Sequence, residues 1–261
     1  MCLLFFSYNM TPGYRLVMAA NRDEFLSRPT ALLGYIDPAE TLLAGRDITG
    51  GGTWLGVSKN MKFGAITNYR DCLLLPGNPP SRGEILLDFL QGEMDVRSYV
   101  HHLSSRGQNY NGFNVVLGDQ HEVYYYSNRN TTPRVLEPGF YGLSNHQLDT
   151  PWPKVVRGKK LLRPHMVECS TIDPYELFRL LEDRQQPLDE QLPVTGVGLE
   201  WERLLGTIFI ESDHYGTRSS AVVTIDDSSQ LRFVEKSYLR TKRGSLQSQI
   251  VDFTVSLSGE S

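Results

Sequence analysis

The residues of this chain whose types and places suggest chemistry are the cysteine at position 2 and the polar run Asn21-Arg22-Asp23-Glu24. Methionine aminopeptidase removes Met1 when residue 2 is small, and cysteine qualifies. Cys2 then carries both a thiol and a free α-amine. The amine, with an ordinary pKa of about 7.7–8.0, can take the thiol's proton and later hand it to a leaving amine. One residue thereby supplies nucleophile and base, the N-terminal-nucleophile arrangement. The thiol is already a few per cent thiolate at neutral pH. Two plainer readings stand beside this one: a small apolar residue opening a buried strand, or a palmitoylated anchor.

Any supporting groups must be brought in by the fold. CLLFFSY and YRLVMAA flank NMTPG, whose Pro12-Gly13 has turn chemistry, so the two runs read as a hairpin. The far end of the second strand then lies near the start of the first. From there Asp23 can reach the Cys2 amine and tune it through a charged hydrogen bond. The alternative for the tetrad is a solvated loop with local ion pairs; Asn21 and Arg22 are supporting candidates. Asn68 in AITNYR and Asn145 in GLSNHQ end two other strands. There an amide can donate to an oxyanion or simply shape a turn. Arg218 in YGTRSSAVV is placed to bind a carboxylate or orient the other polar groups, or is a surface cation.

The elements that must position these residues alternate in type. TLLAGRD, TWLGVS and KFGAITN read as strands. Ser81-Arg82-Gly83-Glu84 reads as a capping box ahead of one or two helices in ILLDFLQGEMDVRSYVHHL. GFNVVLG, EVYYYSN and GFYGLSN return to strand. Helices are expected from Pro151-Trp152-Pro153 and from Asp173-Pro174, with Glu176 in the first turn of the latter. QQPLDEQLPVTGVGLE reads as a loop, and GTIFIES, SSAVVTID, QLRFVEKSY and QIVDFTVS as strands. The order implies two mostly antiparallel sheets, stacked, with helices on their outer faces: a layered α+β fold in one domain, 1–261.

Composition narrows the function classes. The chain has 261 residues, 40% hydrophobic and 21% charged, which is enough to bury a sizeable core. A net charge of −4 without a basic run argues against a nucleic-acid partner. Three cysteines, Cys2, Cys72 and Cys169, with no CxxC pair, fit a reducing compartment. The apolar start lacks a basic region and a cleavage site, and no run reaches membrane-spanning length. The sequons at Asn9 and Asn130 therefore read as chance matches. No phosphate loop, dinucleotide fingerprint, GxSxG elbow or complete HExxH is present; His121-Glu122 lacks the second histidine. His101-His102 fall on a helix facing solvent. His165, Met166 and Cys169 lie close enough to ligate a soft metal or haem iron, but a helix face with a buried Met and Cys is the favoured reading, and no metal site is assigned.

Taken in order, the MC-apolar strand, AANRDEF followed by RP, GGTWLG, AITNYR, YNGFNVVLG, YGLSN with TPWPK, and YGTRS resemble the NRDE family, that of transport and Golgi organisation protein 2. The resemblance runs from residue 1 to about residue 225. It implies an N-terminal-nucleophile hydrolase fold, a four-layer αββα sandwich, with choloylglycine hydrolase and penicillin V acylase as relatives. Carried over by position, the nucleophile is Cys2, the amine-contacting aspartate Asp23, the two asparagines Asn68 and Asn145, and the late arginine Arg218. The chain departs from those relatives at Ala20, where they carry arginine three residues before the aspartate; Arg22 is the nearest substitute. The resemblance implies a cysteine hydrolase or acyltransferase acting on an amide, acyl-CoA or lipid substrate, with no cofactor required for catalysis. The alternative is a carrier or chaperone of haem or an acyl ligand in the same cleft. It also implies an intracellular, cytoplasmic protein with mitochondrial or Golgi association.

Overall fold

The computed structural model describes residues 2–71, 73, 75, 77–240 and 246–258. Met1 and Cys72 lie outside the described residues. The chain divides into two compact units, one formed by Met1–Ser27, Pro138–Ser144 and Leu148–Val255, the other by Arg28–Glu137, Asn145–Gln147 and Ser256–Ser261.

The first unit is built on a six-stranded sheet. Its strands are β1 (Cys2–Thr11), β2 (Tyr14–Phe25), β10 (Gly139–Leu143), β11 (Tyr215–Asp226), β12 (Gln230–Arg240) and β13 (Leu246–Ser256), in the order β10-β1-β2-β11-β12-β13. β1 and β2 form the expected hairpin, closed where Thr11 pairs with Tyr14 across Pro12-Gly13. Gly13 takes the left-handed φ of +79°, which favours glycine. Helices α3 (Pro153–Met166), α4 (Pro174–Leu181) and α5 (Leu199–Leu205) complete the unit. Alternation along the strands sets what faces α3 and α4. Leu3 and Phe5 of β1 and Val17 and Ala19 of β2 pack with Leu162, Met166 and Phe178 in one core. Leu4, Phe6 and Met18, pointing the other way, are buried too. Both faces of the hairpin are thus covered, which explains its near-continuous apolar run. Asp173 caps α4 by accepting from the Tyr175 N–H, with Pro174 in the first turn, as expected.

The second unit is a seven-stranded antiparallel meander in sequence order: β3 (Thr30–Tyr35), β4 (Leu42–Asp47), β5 (Leu55–Ser58), β6 (Phe63–Asn68), β7 (Phe113–Gly118), β8 (Val123–Ser127) and β9 (Asn130–Val135). Helices α1 (Arg82–Gln91) and α2 (Val96–Arg106) lay Ile85, Leu86, Phe89, Val100 and Leu103 into a core with Val115 and Leu117. His101 and His102 are exposed on α2.

Several expectations need correction. Ser81 precedes α1 but its side chain makes no capping bond; only its carbonyl accepts, from the Glu84 N–H. GTIFIES is not a strand. Ile208, Phe209 and Ile210 are buried, and the segment makes a single antiparallel bridge to β11, Glu211 with Gly216; its other backbone groups bond to Asn21, Asp183 and Thr217. The segment read as a loop ends in α5. β3 and β9, short and mixed in polarity, were not visible in the pattern.

Gly158 in α3 allows the helix to seat on β1. A Cβ there would lie 2.0 Å from the Phe5 ring, an impossible contact. Gly158→Ala is expected to cost about 1–3 kcal/mol through forced repacking. Urea unfolding should show a lower midpoint at unchanged slope; an unaltered midpoint would contradict this seating.

Candidate functional site

The polar tetrad lies within β2, which runs one residue further to Phe25; Asn21 and Arg22 are paired with both β1 and β11, Asp23 and Glu24 with β11. Cys2 pairs with Arg22 and Leu3 with Asn21 across β1, while Asp23 pairs with Thr217 and Asn21 with Ser220 across β11. Asn21, Arg22 and Asp23 are all buried. The reading as a solvated loop is therefore set aside.

Residues directly opposed in an antiparallel pair share a face, and neighbours along a strand alternate. Asn21 and Asp23 thus share the face of Leu3, where the helices pack. Cys2 and Arg22 share the opposite face. Arg22 is the cation beside the thiol, and Ala20, two residues back, lies on that same face.

Asp23 is fixed from β11. The Thr217 Oγ1 hydroxyl accepts from the Ile210 N–H at 2.9 Å and donates to Asp23 Oδ1 at 2.7 Å. Its one proton is therefore committed to the carboxylate. The Tyr215 hydroxyl donates to the Asp23 carbonyl at 3.0 Å. Asn21 is a bracket between segments. Its Nδ2 donates to the carbonyls of Leu181 and Ile208, both at 2.9 Å, and its Oδ1 accepts from Ser220 Oγ at 2.6 Å. Ser220 continues to the Tyr238 hydroxyl at 3.0 Å, which reaches Glu182 Oε1 at 3.0 Å, itself ion-paired with Lys236. Burial pushes the Tyr238 phenol far up, so it stays neutral in this chain of bonds.

The register between β2 and β11 shifts between Thr217 and Ser219, leaving Arg218 as the extra residue of a bulge. Bulges re-aim side chains and gather near functional sites. Arg218 sends its Nη1 to the carbonyls of Phe25 and Leu26, each at 3.0 Å, and so ties down the chain leaving β2. Burial lowers its pKa, Arg22 adds to the lowering and Glu24 opposes it. Its side chain is half-buried.

Cys2 is half-buried at the head of β1. Burial pushes its thiol up, the Asp23 carboxylate adds to this, and Arg22 opposes it. The first unit thus gathers Cys2, Asn21, Arg22, Asp23 and Arg218 on three adjacent strands. The second unit joins the two asparagines. Asn68 is the last residue of β6, and its carbonyl accepts from Asn145 Nδ2 at 2.9 Å. The Asn145 carbonyl accepts from the Arg70 N–H at 2.6 Å. The Tyr69 and His146 rings lie 5.0 Å apart beside them, and burial lowers the His146 pKa.

Thr217, Ser220, Tyr215, Tyr238 and Glu182 were not singled out in the sequence. Thr217 and Ser220 had a signal, as hydroxyls flanking Arg218 in an otherwise apolar strand; Tyr238 and Glu182 had none. The His165, Met166 and Cys169 group disperses. Met166 is in the core, His165 lies 4.0 Å from Glu176, and Cys169 donates to the Pro164 carbonyl. Among the described residues, no group of three His, Cys, Asp or Glu side chains is placed to hold a metal.

Comparison with known proteins places this arrangement. Residues 1–240 match the family model described as Transport and Golgi organisation 2, and the chain belongs to that family. It is 34% identical over 278 residues to a Transport and Golgi organization 2 homolog of Mus musculus, covering 98% of this chain and 99% of the relative. To the Homo sapiens homolog it is 33% identical over 275 residues, covering 98% and 99%. Among solved structures, an N-acylethanolamine-hydrolyzing acid amidase ortholog of Caenorhabditis elegans aligns with a TM-score of 0.52 at 11% identity, covering 84% of this chain and 91% of that one. That likeness concerns the fold: two antiparallel sheets with helices, the α+β class of the N-terminal-nucleophile hydrolases, as the sequence implied. No helix among the described residues is long and apolar enough to cross a membrane.

The two charges near the thiol act in opposite directions, which fixes the sign of a test. Asp23→Asn removes a negative neighbour and should lower the Cys2 pKa; Arg22→Gln should raise it. Iodoacetamide labelling of Cys2, followed by peptide mass across pH, should be roughly two- to tenfold faster at pH 7 in the first variant and slower in the second. Shifts of the same sign in both would contradict the arrangement.

Proposed function

We propose that the protein is an N-terminal cysteine hydrolase or acyltransferase acting on an amide or thioester of a small acyl-bearing molecule. The observation that supports this most is the pairing of Cys2 with Arg22, one residue from a buried Asp23 whose carboxylate accepts a hydrogen bond from the Thr217 hydroxyl. In the proposed state the Cys2 α-nitrogen, exposed by removal of Met1, is a neutral amine before the reaction and adds a positive charge near that carboxylate once it has taken the thiol proton.

In the reaction, the α-amine takes the thiol proton and the Cys2 sulfur attacks the carbonyl carbon. The carbonyl π electrons move to oxygen, and the oxyanion role falls to Asn68 and Asn145. Collapse breaks the carbonyl–nitrogen or carbonyl–sulfur bond. The ammonium proton goes to the leaving group, and an acyl thioester remains on Cys2. Water, deprotonated by the amine, then releases the acid; a different nucleophile in place of water gives acyl transfer. Asp23 holds the amine, and Arg218 and Asn21 hold the strand ends that carry these groups.

The nematode amidase sharing the fold is named for hydrolysing N-acylethanolamines, an acyl–nitrogen bond of the class proposed. Links to haem trafficking, lipid or acyl-CoA homeostasis and the Golgi come from the family resemblance and direct the choice of substrates to try. Cytoplasmic work with mitochondrial or Golgi association belongs to the same proposal.

The decisive preparation is protein whose intact mass confirms loss of Met1. Incubated with N-acyl amides and acyl thioesters, it should release product and carry an acyl adduct on Cys2. Cys2→Ala should abolish both, and Asp23→Asn, by releasing the amine that moves the proton, should slow turnover. Undiminished turnover in Cys2→Ala, or saturable ligand binding with no product from any substrate, would overturn the catalytic reading; the second result would favour a carrier.

A further inference from the structure

The segment 208–211 makes one bridge to β11, and the rest of its backbone works as a brace. The Ile208 carbonyl accepts from Asn21 Nδ2 at 2.9 Å. The Phe209 N–H is anchored on the Asp183 carbonyl at 2.9 Å. Ile210 is tied twice to Thr217: its N–H donates to Thr217 Oγ1 at 2.9 Å, and its carbonyl accepts from the Thr217 N–H at 2.9 Å. Glu211 bridges to Gly216.

Two features of β11 bring this brace to bear on Asp23. The first is Gly216, where a Cβ would lie 2.8 Å from the Ile210 carbonyl oxygen. Only a residue without a side chain lets the segment approach this closely. The second is the bulge at Arg218. Residues two apart in a regular strand share a face. Here Thr217 opposes Asp23 while Ser219 opposes Arg22, so the bulge sends the two hydroxyls to opposite faces.

The chemistry of the Thr217 hydroxyl then has one direction. Its oxygen already accepts from the Ile210 N–H, and its single proton points to Asp23 Oδ1 at 2.7 Å. Thr217, Ile210 and Asp23 are all buried, so water does not compete for these bonds. A bond donated to a carboxylate favours its ionised form and restricts its rotation. Tyr215 holds the Asp23 backbone carbonyl at 3.0 Å, so main chain and side chain are each held by a hydroxyl from β11.

We propose that Thr217 is a positioning residue of the hydrolase reaction: its hydroxyl, oriented by Ile210, aims the Asp23 carboxylate at the Cys2 α-amine. The role rests on the hydrolase reading; the bond that carries it can be tested without turnover.

Thr217→Val keeps the shape and removes the donor, and Thr217→Ser keeps the donor. In protein lacking Met1, acting on whichever N-acyl amide or acyl thioester the wild type cleaves, Thr217→Val should lower kcat roughly ten- to hundredfold, the scale of a misplacement of about 1 Å. KM should stay within about twofold, since the hydroxyl does not touch substrate. Thr217→Ser should recover kcat to within about threefold of wild type. Urea unfolding of Thr217→Val, Asp23→Ala and the double variant should give losses that fall short of adding, because both changes remove the same bond. Full kcat in Thr217→Val, a loss in Thr217→Ser as large as that in Thr217→Val, or additive losses in urea would overturn the proposal and leave the hydrolase reading standing. Absence of turnover in the wild type would instead overturn the hydrolase reading, and the role of Thr217 with it.

Discussion

The arrangement depends on one constraint: β2 is an interior strand, bonded to β1 on one side and β11 on the other, yet it carries Asn21, Arg22 and Asp23 where both faces are covered. Polar groups buried in this way must be satisfied or they cost several kcal/mol each. The surrounding sequence answers that demand. Thr217 and Tyr215 serve Asp23; Ser220, the Leu181 carbonyl at the end of α4 and the Ile208 carbonyl serve Asn21. The segment through Ile210 gives up strand pairing to supply those partners. The bulge at Arg218 follows from the same place, since a regular register would not leave a residue free to cap the end of β2.

Register is what gives each polar residue its role. A slip of one residue between β1 and β2 would put Arg22 among the helices and Asp23 beside the thiol. The tight Pro12-Gly13 connection, with Gly13 in the left-handed region, fixes that register at one end. At the other end the two hydrogen bonds that Arg218 donates to the Phe25 and Leu26 carbonyls hold the strand against fraying. The hairpin therefore works as a ruler between its turn and the Cys2 end, and Asn21 sets its angle to α4 through the Leu181 carbonyl.

Much of this was legible because it is local and periodic. The hairpin, the strands of the meander and the start of α4 all announce themselves through alternation, turn residues or a cap. Cys2, Asp23, Asn68, Asn145 and Arg218 were candidates as polar types at strand ends or beside apolar runs, a common pattern, and only the family resemblance joined them into one proposed site. The rest is non-local. GTIFIES has the composition of a strand, but it makes only one bridge, from Glu211 to Gly216 of β11, and the rest of its backbone is used largely by side chains from β2 and β11. Ser81 has the right spacing for a capping box, yet its side chain makes no such bond. The chain of bonds from Asn21 through Ser220 and Tyr238 to Glu182 links four segments that no spacing rule connects. A hydroxyl in an apolar strand was its only trace.

The departure at Ala20 can now be read as a displacement rather than a loss. Two residues along a strand is about 6.6 Å and preserves the face. Arginine at position 22 instead of 20 is therefore still on the Cys2 side, moved toward the thiol and directly opposite it. Its charge lowers the thiol's pKa, while burial and Asp23 raise it, and the net effect is upward. A cysteine held in this way is not a ready-made thiolate. It needs a base at the moment of attack, and its own backbone nitrogen, freed by loss of Met1, is a base that requires no further side chain. In that state the ammonium would add a positive charge near the Asp23 carboxylate. The feature that resists thiolate formation in the uncleaved chain is then the same one that would stabilise the protonated amine once the thiol has given up its proton.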